Sequence, residues 1–226
     1  MSGVLALVGG AEWTTGCDFD RSLLDASGAD EVVVLPTAAA YEHPDRVAAS
    51  AGRWFESLGA KTVPVMAVDR AGARDEAHVA TVRSARFVYL SDGSPMHLRS
   101  VLMRSPLWDA LVAAWHDGAV LAGSAAGAMV LCDPMVDPRG GAFTVGLGLL
   151  GQVGLVPRLD TWTEDKLHRT LQLAPAGLPV VGVDQRTAVV RDPEGAWRAE
   201  GVGGVTVWLS GEEVPLDRLD ALALPA

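Results

Sequence analysis

Five consecutive residues, Gly123-Ser124-Ala125-Ala126-Gly127, have the types and spacing of a turn that mounts a hydrolytic nucleophile. In a G-x-S-x-G elbow, small residues two before and two after the nucleophile let a strand and a helix approach closely, while the middle residue takes a strained backbone that exposes its side chain. The run from Ala119 to Ala122 ahead of the turn is strand-like, and that from Ala128 to Leu131 behind it is helix-like. Such a turn serves attack of a hydroxyl on a carbonyl, with a nearby base to take the proton. Here the middle position is Ala125, whose methyl cannot attack. Sliding the frame makes Ser124 the middle residue, flanked by Ala122 and Ala126, but leaves Gly127 outside the pattern. Ser124 is therefore an alternative nucleophile, although a serine beside a helix start more often caps it by accepting from a backbone N–H.

Other residues able to do chemistry lie on loops that follow strand-like runs. In an open parallel sheet, ligands collect at the carboxyl ends of the strands. That rule nominates the loops 9–17, 36–43, 91–97 and 123–127. They supply Glu12, His43, Asp92, Gly93, His97 and Ala126 as candidate binding residues. Surface loops are polar in any case, so Glu12, His43 and Asp92 read equally well as solvated side chains. An active serine hydrolase built on Ser124 would need His97 or His168 as its base. Of these, His97 is better placed, because a lone histidine on a helix, as His168 is, usually packs or faces water.

The elements that must position these residues follow from periodicity. Short β-type runs at 4–10, 31–37, 61–67, 86–92 and 119–123 alternate with amphipathic stretches such as 45–59 and 73–85. This alternation implies right-handed crossovers and a parallel sheet covered on both faces. Further on, 163–174 has a threonine start signal and helical periodicity, and strand-like runs follow at 180–184, 187–192 and 202–210. These lie close together, and turn residues at 192–195 and 210–213 suit hairpins better than crossovers. The fold class expected is a three-layer α/β fold with a doubly wound, mainly parallel sheet and C-terminal β-hairpins. With 226 residues, 49% of them hydrophobic, and no linker or repeat, the chain reads as a single domain over 1–226.

Composition excludes several partners. Twenty-eight acidic against eighteen basic residues give a net charge of −10, which disfavours nucleic acid and anionic membrane surfaces. No run approaches the length of a membrane span, and the first residues lack the basic region of a signal peptide, so a cytoplasmic location is expected. Cys17 and Cys132 are too few for a disulfide framework or a thiolate metal site and are expected as free thiols. No cofactor motif is present. Trp54, Trp108 and Trp115 read as core or interface anchors, and a homodimer is expected on the base rate for such folds.

Taken together, the turn GSAAGAM, the loop YLSDGSP, the stretch GLGLL followed by a proline dipeptide, and VVGVDQRTAVV resemble the dipeptidase E and cyanophycinase family of serine peptidases. The motifs occur in the family's order and cover most of the chain. The resemblance implies a class I glutamine amidotransferase-like fold and cleavage next to acidic residues through an acyl-enzyme. Carried over residue by residue, it departs from the family at the positions that matter. Ala125 takes the place of the serine, Arg158 that of the histidine in Pro157-Arg158, and Gln185 that of the acid. An arginine stays protonated and cannot act as general base, and a glutamine lacks the charge that steadies an imidazolium. The family's glycine pair after the fourth strand, whose N–H helps hold the oxyanion, is replaced by Asp92-Gly93.

Four departures in one direction are the pattern of a pseudoenzyme. The expectation is a cleft that has lost its triad and binds an acidic peptide or small molecule, with Ala125, Arg158 and Gln185 converging on it. Arg158 would either anchor a ligand carboxylate or pair with Asp92 or Asp160. An active hydrolase using Ser124, and a non-hydrolytic enzyme in the remodelled pocket, are the alternatives.

Overall fold

The computed structural model describes residues 2–221. Leucine- and valine-rich runs form the strands β1 (Leu5–Val8), β2 (Glu31–Leu35), β3 (Lys61–Pro64), β4 (Phe87–Leu90) and β5 (Val120–Ser124). Between them lie α1 (Phe19–Ser27), α2 (Pro44–Ser57), α3 (Glu76–Ser84), α4 (Pro95–Leu102) and α5 (Pro106–His116). Asp75, Ser94 and Ser105 cap the last three by accepting from backbone N–H groups of the first turn.

After β5 comes the short α6 (Ala126–Leu131), then two-residue strand pieces β6 (Cys132–Asp133), β7 (Met135–Val136), β8 (Phe143–Thr144) and β9 (Leu150–Gly151). The chain ends with β10 (Gly154–Pro157), α7 (Glu164–Leu173), β11 (Pro179–Val183), β12 (Thr187–Arg191), β13 (Trp197–Gly201), β14 (Val205–Leu209) and β15 (Glu212–Val214).

A seven-stranded sheet runs in the order β13-β12-β1-β5-β4-β2-β3. The five strands from β1 to β3 are parallel, and β12 and β13 add antiparallel at the other edge. Alternation of side chains divides the strands between two cores. Leu5, Leu7, Val88, Leu90 and Leu121 face α3 to α6 and the second sheet. Ala6, Val8, Phe87, Tyr89, Val120 and Ala122 face Phe19 and Leu23 of α1 and Phe55 of α2. The doubly wound, mainly parallel reading of the sequence holds, and so do the hairpins: Asp192 Oδ1 accepts from the N–H of Gly195 and Ala196 in the β12–β13 turn. Both cysteines are free and buried. Among the described residues no helix is long and apolar enough to cross a membrane.

Two features differ from the sequence reading. β13 was not expected: its five residues WRAEG hold two charges, an alanine and a glycine, and only Trp197 is buried. The late strands also split between sheets: β11 pairs with β10 and β14 in a four-stranded sheet ordered β10-β11-β14-β15, while β12 joins β1. Periodicity identifies a strand, but its partner is a non-local choice.

One buried charge site yields a stability prediction. Asp20 of α1 is fully buried; Trp54 Nε1–H donates to its Oδ2 at 2.8 Å, and its Oδ1 has no partner among the described residues. Burial raises this carboxyl well above its ordinary 3.8, against the Trp54 hydrogen bond. The fold thus favours the neutral acid, a contribution complete below the unfolded value and lost as pH rises through the folded one. Asp20→Asn, neutral throughout, is expected to gain in urea midpoint over the wild type progressively across the window that opens at the ordinary carboxyl range, about pH 4, and extends upward. A difference that stays constant across this window would contradict the assignment.

Candidate functional site

The reversal between β5 and α6 is made by one residue. Ala125 sits at φ 39° and ψ −96°, a backbone that non-glycine residues rarely adopt. The glycines around it are explained by close approach: a Cβ on Gly123 would lie 2.6 Å from the Gly127 carbonyl carbon, and one on Gly127 would lie 2.4 Å from the Leu90 oxygen. Strand, turn and helix therefore meet backbone to backbone, and Ala125 opens onto a cleft of about 520 Å³ at the carboxyl ends of the parallel strands.

At the mouth of this turn stands a carboxylate. Asp92, in the loop after β4, accepts at Oδ1 from its neighbour Gly93 N–H at 2.7 Å and from Ala126 N–H at 3.1 Å. Its Oδ2 is ion-paired with Arg158 Nη2. Arg158 follows β10 in the left-handed region at φ 52°, and its N–H donates to the Gly9 oxygen at 2.8 Å. A Cβ on Gly10 would lie 2.8 Å from Arg158 Nε, so glycine there leaves the guanidinium its path. Of the roles left open for Arg158, the geometry has the pairing with Asp92; Asp160 Oδ1 instead accepts the Gln185 N–H at 3.0 Å.

Behind Asp92 lies Glu12. Its Oε1 accepts the Asp92 N–H at 2.9 Å and its Oε2 accepts the Ser124 hydroxyl at 2.7 Å. Burial pushes the Glu12 carboxyl above its ordinary range, and the neighbouring Asp92 carboxylate adds to the shift, against the two hydrogen bonds. Ser124 is fully buried and shares strand parity with Val120 and Ala122, which belong to the core under α1 and α2. It is not the helix cap expected from its position: β5 runs through residue 124, Ala125 is the N-cap residue, and no side chain caps α6.

The remaining candidates lie elsewhere. His97 is half-buried on α4, with Nε2 at 2.8 Å from the Val68 oxygen and its ring against Tyr41. His43 is the exposed, left-handed residue before α2, and His168 is exposed on α7. None of these three histidines is among the residues lining the cleft, and neither is Gln185, which sits behind the Gly9-Gly10 loop where Arg186 N–H donates to Gly10 O at 2.9 Å. The cleft thus gathers Ala125, Ala126, Asp92, Gly93 and Arg158, but not Gln185 or Ser124.

Sequence reasoning missed the opposite wall. Thr161, Trp162, Thr163 and Lys166 line it from the start of α7, with Pro138 beside them. Lys166 Nζ lies 3.8 Å from the Trp162 ring centre and donates to the Pro138 oxygen at 3.2 Å. Thr163 Oγ1 caps the helix, and that start signal was legible; that it faces a cleft was not. Among the described residues no group of three His, Cys, Asp or Glu side chains is placed to hold a metal.

Residues 5–197 match peptidase family S51. The chain belongs to that family. Related sequences include the cyanophycinase of Synechococcus elongatus, 26% identical over 91% of this chain and 67% of the relative. That of Trichormus variabilis is 24% identical over 90% and 72%. A solved peptidase from an acI-B1 Actinobacterium superposes with a TM-score of 0.83 at 27% identity, covering 95% of this chain and 97% of its own. A putative peptidase E from Listeria monocytogenes shares the fold, with a TM-score of 0.71 at 14% identity over 90% and 100%.

The elbow of this S51 chain makes opposite predictions for its two kinds of small residue. Ala125→Gly relieves a strained backbone and is expected to stabilise the fold by about 1 kcal/mol, whereas Gly127→Ala forces a methyl into the Leu90 carbonyl and costs about 1–3 kcal/mol. Urea denaturation of both variants checks the pair; equal effects would mean that the turn is unstrained.

Proposed function

We propose that this chain is a family S51 protein that does not hydrolyse peptide bonds through a serine acyl-enzyme, and that its cleft binds an acidic peptide or a small acidic ligand. The observation that carries this reading is the methyl of Ala125 at the bend of an otherwise intact elbow, facing the cleft with Arg158 as its basic neighbour. An alanine has no oxygen to acylate and a guanidinium does not accept a proton at ordinary pH. A shift of the chemistry to Ser124 is disfavoured, because its side chain is fully buried, does not line the cleft and donates its hydroxyl to Glu12. A preference for acidic ligands is supported by Lys166, whose ammonium rests on an indole face and a carbonyl at the cleft wall.

The test is hydrolysis of a panel of aspartyl dipeptides and β-aspartyl-arginine. The unmodified protein is expected to turn these over at least about 10⁴-fold more slowly than an active relative, and a fluorophosphonate probe is expected to leave Ser124 unlabelled. A bound member of the panel is expected to raise the Tm without being cleaved. Hydrolysis by the unmodified protein, or a labelled Ser124, would overturn the reading.

A further inference from the structure

We propose that Asp92 is a second and independent block on hydrolysis: its carboxylate is a built-in occupant of the position where a reacting carbonyl oxygen would have to sit. The inference rests on the reading of the cleft as non-hydrolytic and adds a cause to it beyond the methyl of Ala125.

The argument is geometric. In an elbow of this kind the negative charge that develops on the carbonyl oxygen is held by the N–H of the residue after the bend, together with an N–H from a neighbouring loop. The residue after the bend is Ala126, and the neighbouring loop N–H is that of Gly93. Both donate to one atom, Asp92 Oδ1, at 3.1 and 2.7 Å. These are hydrogen-bond distances of the kind a transition-state oxygen would require, and a carboxylate oxygen satisfies the donors as an oxyanion would. A substrate carbonyl entering the turn would find its donors already in use and a negative charge in its place.

Three further contacts keep the carboxylate there. Arg158 pairs with Oδ2 from the cleft side. Glu12 fixes the backbone of Asp92 from behind by accepting its N–H. Gly93, at φ 142°, passes so close to the preceding loop that a Cβ would lie 2.4 Å from the Ala38 oxygen, which holds the loop at its height above the elbow. Asp92 is therefore a positioning residue that acts on the donors rather than on a substrate.

The consequence is that restoring the nucleophile and its base is not sufficient. The experiment compares the triple variant Ala125→Ser, Arg158→His, Gln185→Glu with the same variant carrying Asp92→Ala or Asp92→Gly. Rates of fluorophosphonate labelling and of aspartyl dipeptide hydrolysis are read for each, after circular dichroism has established that each is folded. The expected result is that the triple variant stays near background and that removing Asp92 raises both rates by about 10²- to 10³-fold, the scale of an oxyanion donor. Equal rates with and without Asp92, whether both high or both at background, would overturn the inference.

A second readout does not depend on restored chemistry. In the otherwise unmodified protein, Asp92→Ala is expected to shift the amide proton resonances of Gly93 and Ala126 upfield together, as both lose a charged acceptor. Resonances that stay in place would overturn the inference as well. Failure of the underlying reading looks different, since it would appear as hydrolysis by the unmodified protein.

Discussion

Everything at the cleft depends on the backbone contact between β5 and α6. Because Gly123 and Gly127 have no Cβ, the helix starts against the strand instead of beyond it, and a single residue must reverse the chain. That constraint sets the unusual backbone of Ala125 and turns the Ala126 N–H out toward the β4 loop. A turn built this way aims a donor at a fixed point in space whether or not a nucleophile stands in it. The strain is stored in a place where, on the function proposed above, no bond is broken, consistent with an elbow kept for the fold it closes.

Electrostatics at that point is a balance among three groups. Asp92 and Glu12 bring two carboxyl groups to one short loop, which raises the Glu12 carboxyl. The array is held by dipoles and one cation: the N–H groups of Gly93 and Ala126, the hydroxyl of Ser124, and the guanidinium of Arg158. Both carboxylate oxygens of Asp92 thus have a donor, which is what a partly buried carboxylate requires. Residues that could be taken singly for remnants of a serine hydrolase, Ser124 among them, are here parts of one hydrogen-bonded unit.

The opposite wall comes from a different layer of the molecule. β10 and the residue after it deliver Pro157 and Arg158 to the cleft, and α7 with the turn before it delivers Trp162, Thr163 and Lys166. β10 packs beside α6 in the same core, so the second sheet and the elbow share a foundation of Val130, Leu155, Val156 and Val181. The cleft is consequently a seam between the parallel sheet and the C-terminal half of the chain.

Much of this was legible in the residues themselves. Apolar period and capping chemistry located β1 to β5 and α2, α3 and α7, because those signals are local and each strand is buried on alternating faces. The glycine spacing around Ala125 located the elbow, because close backbone approach tolerates almost nothing else. What the residue string did not contain was pairing and direction. It could not separate Arg158 as a ligand anchor from Arg158 as a partner of Asp92, since Asp92 lies 66 positions away. It read Ser124 as a cap, where strand parity turns the side chain to the other face and into the reach of Glu12, 112 positions distant. It grouped Gln185 with Ala125, whereas Gln185 is not among the residues lining the cleft and its backbone N–H donates to Asp160. Local backbone preference determines which segments become strands, helices and turns; which side chains meet is decided only when the sheet order closes those distances.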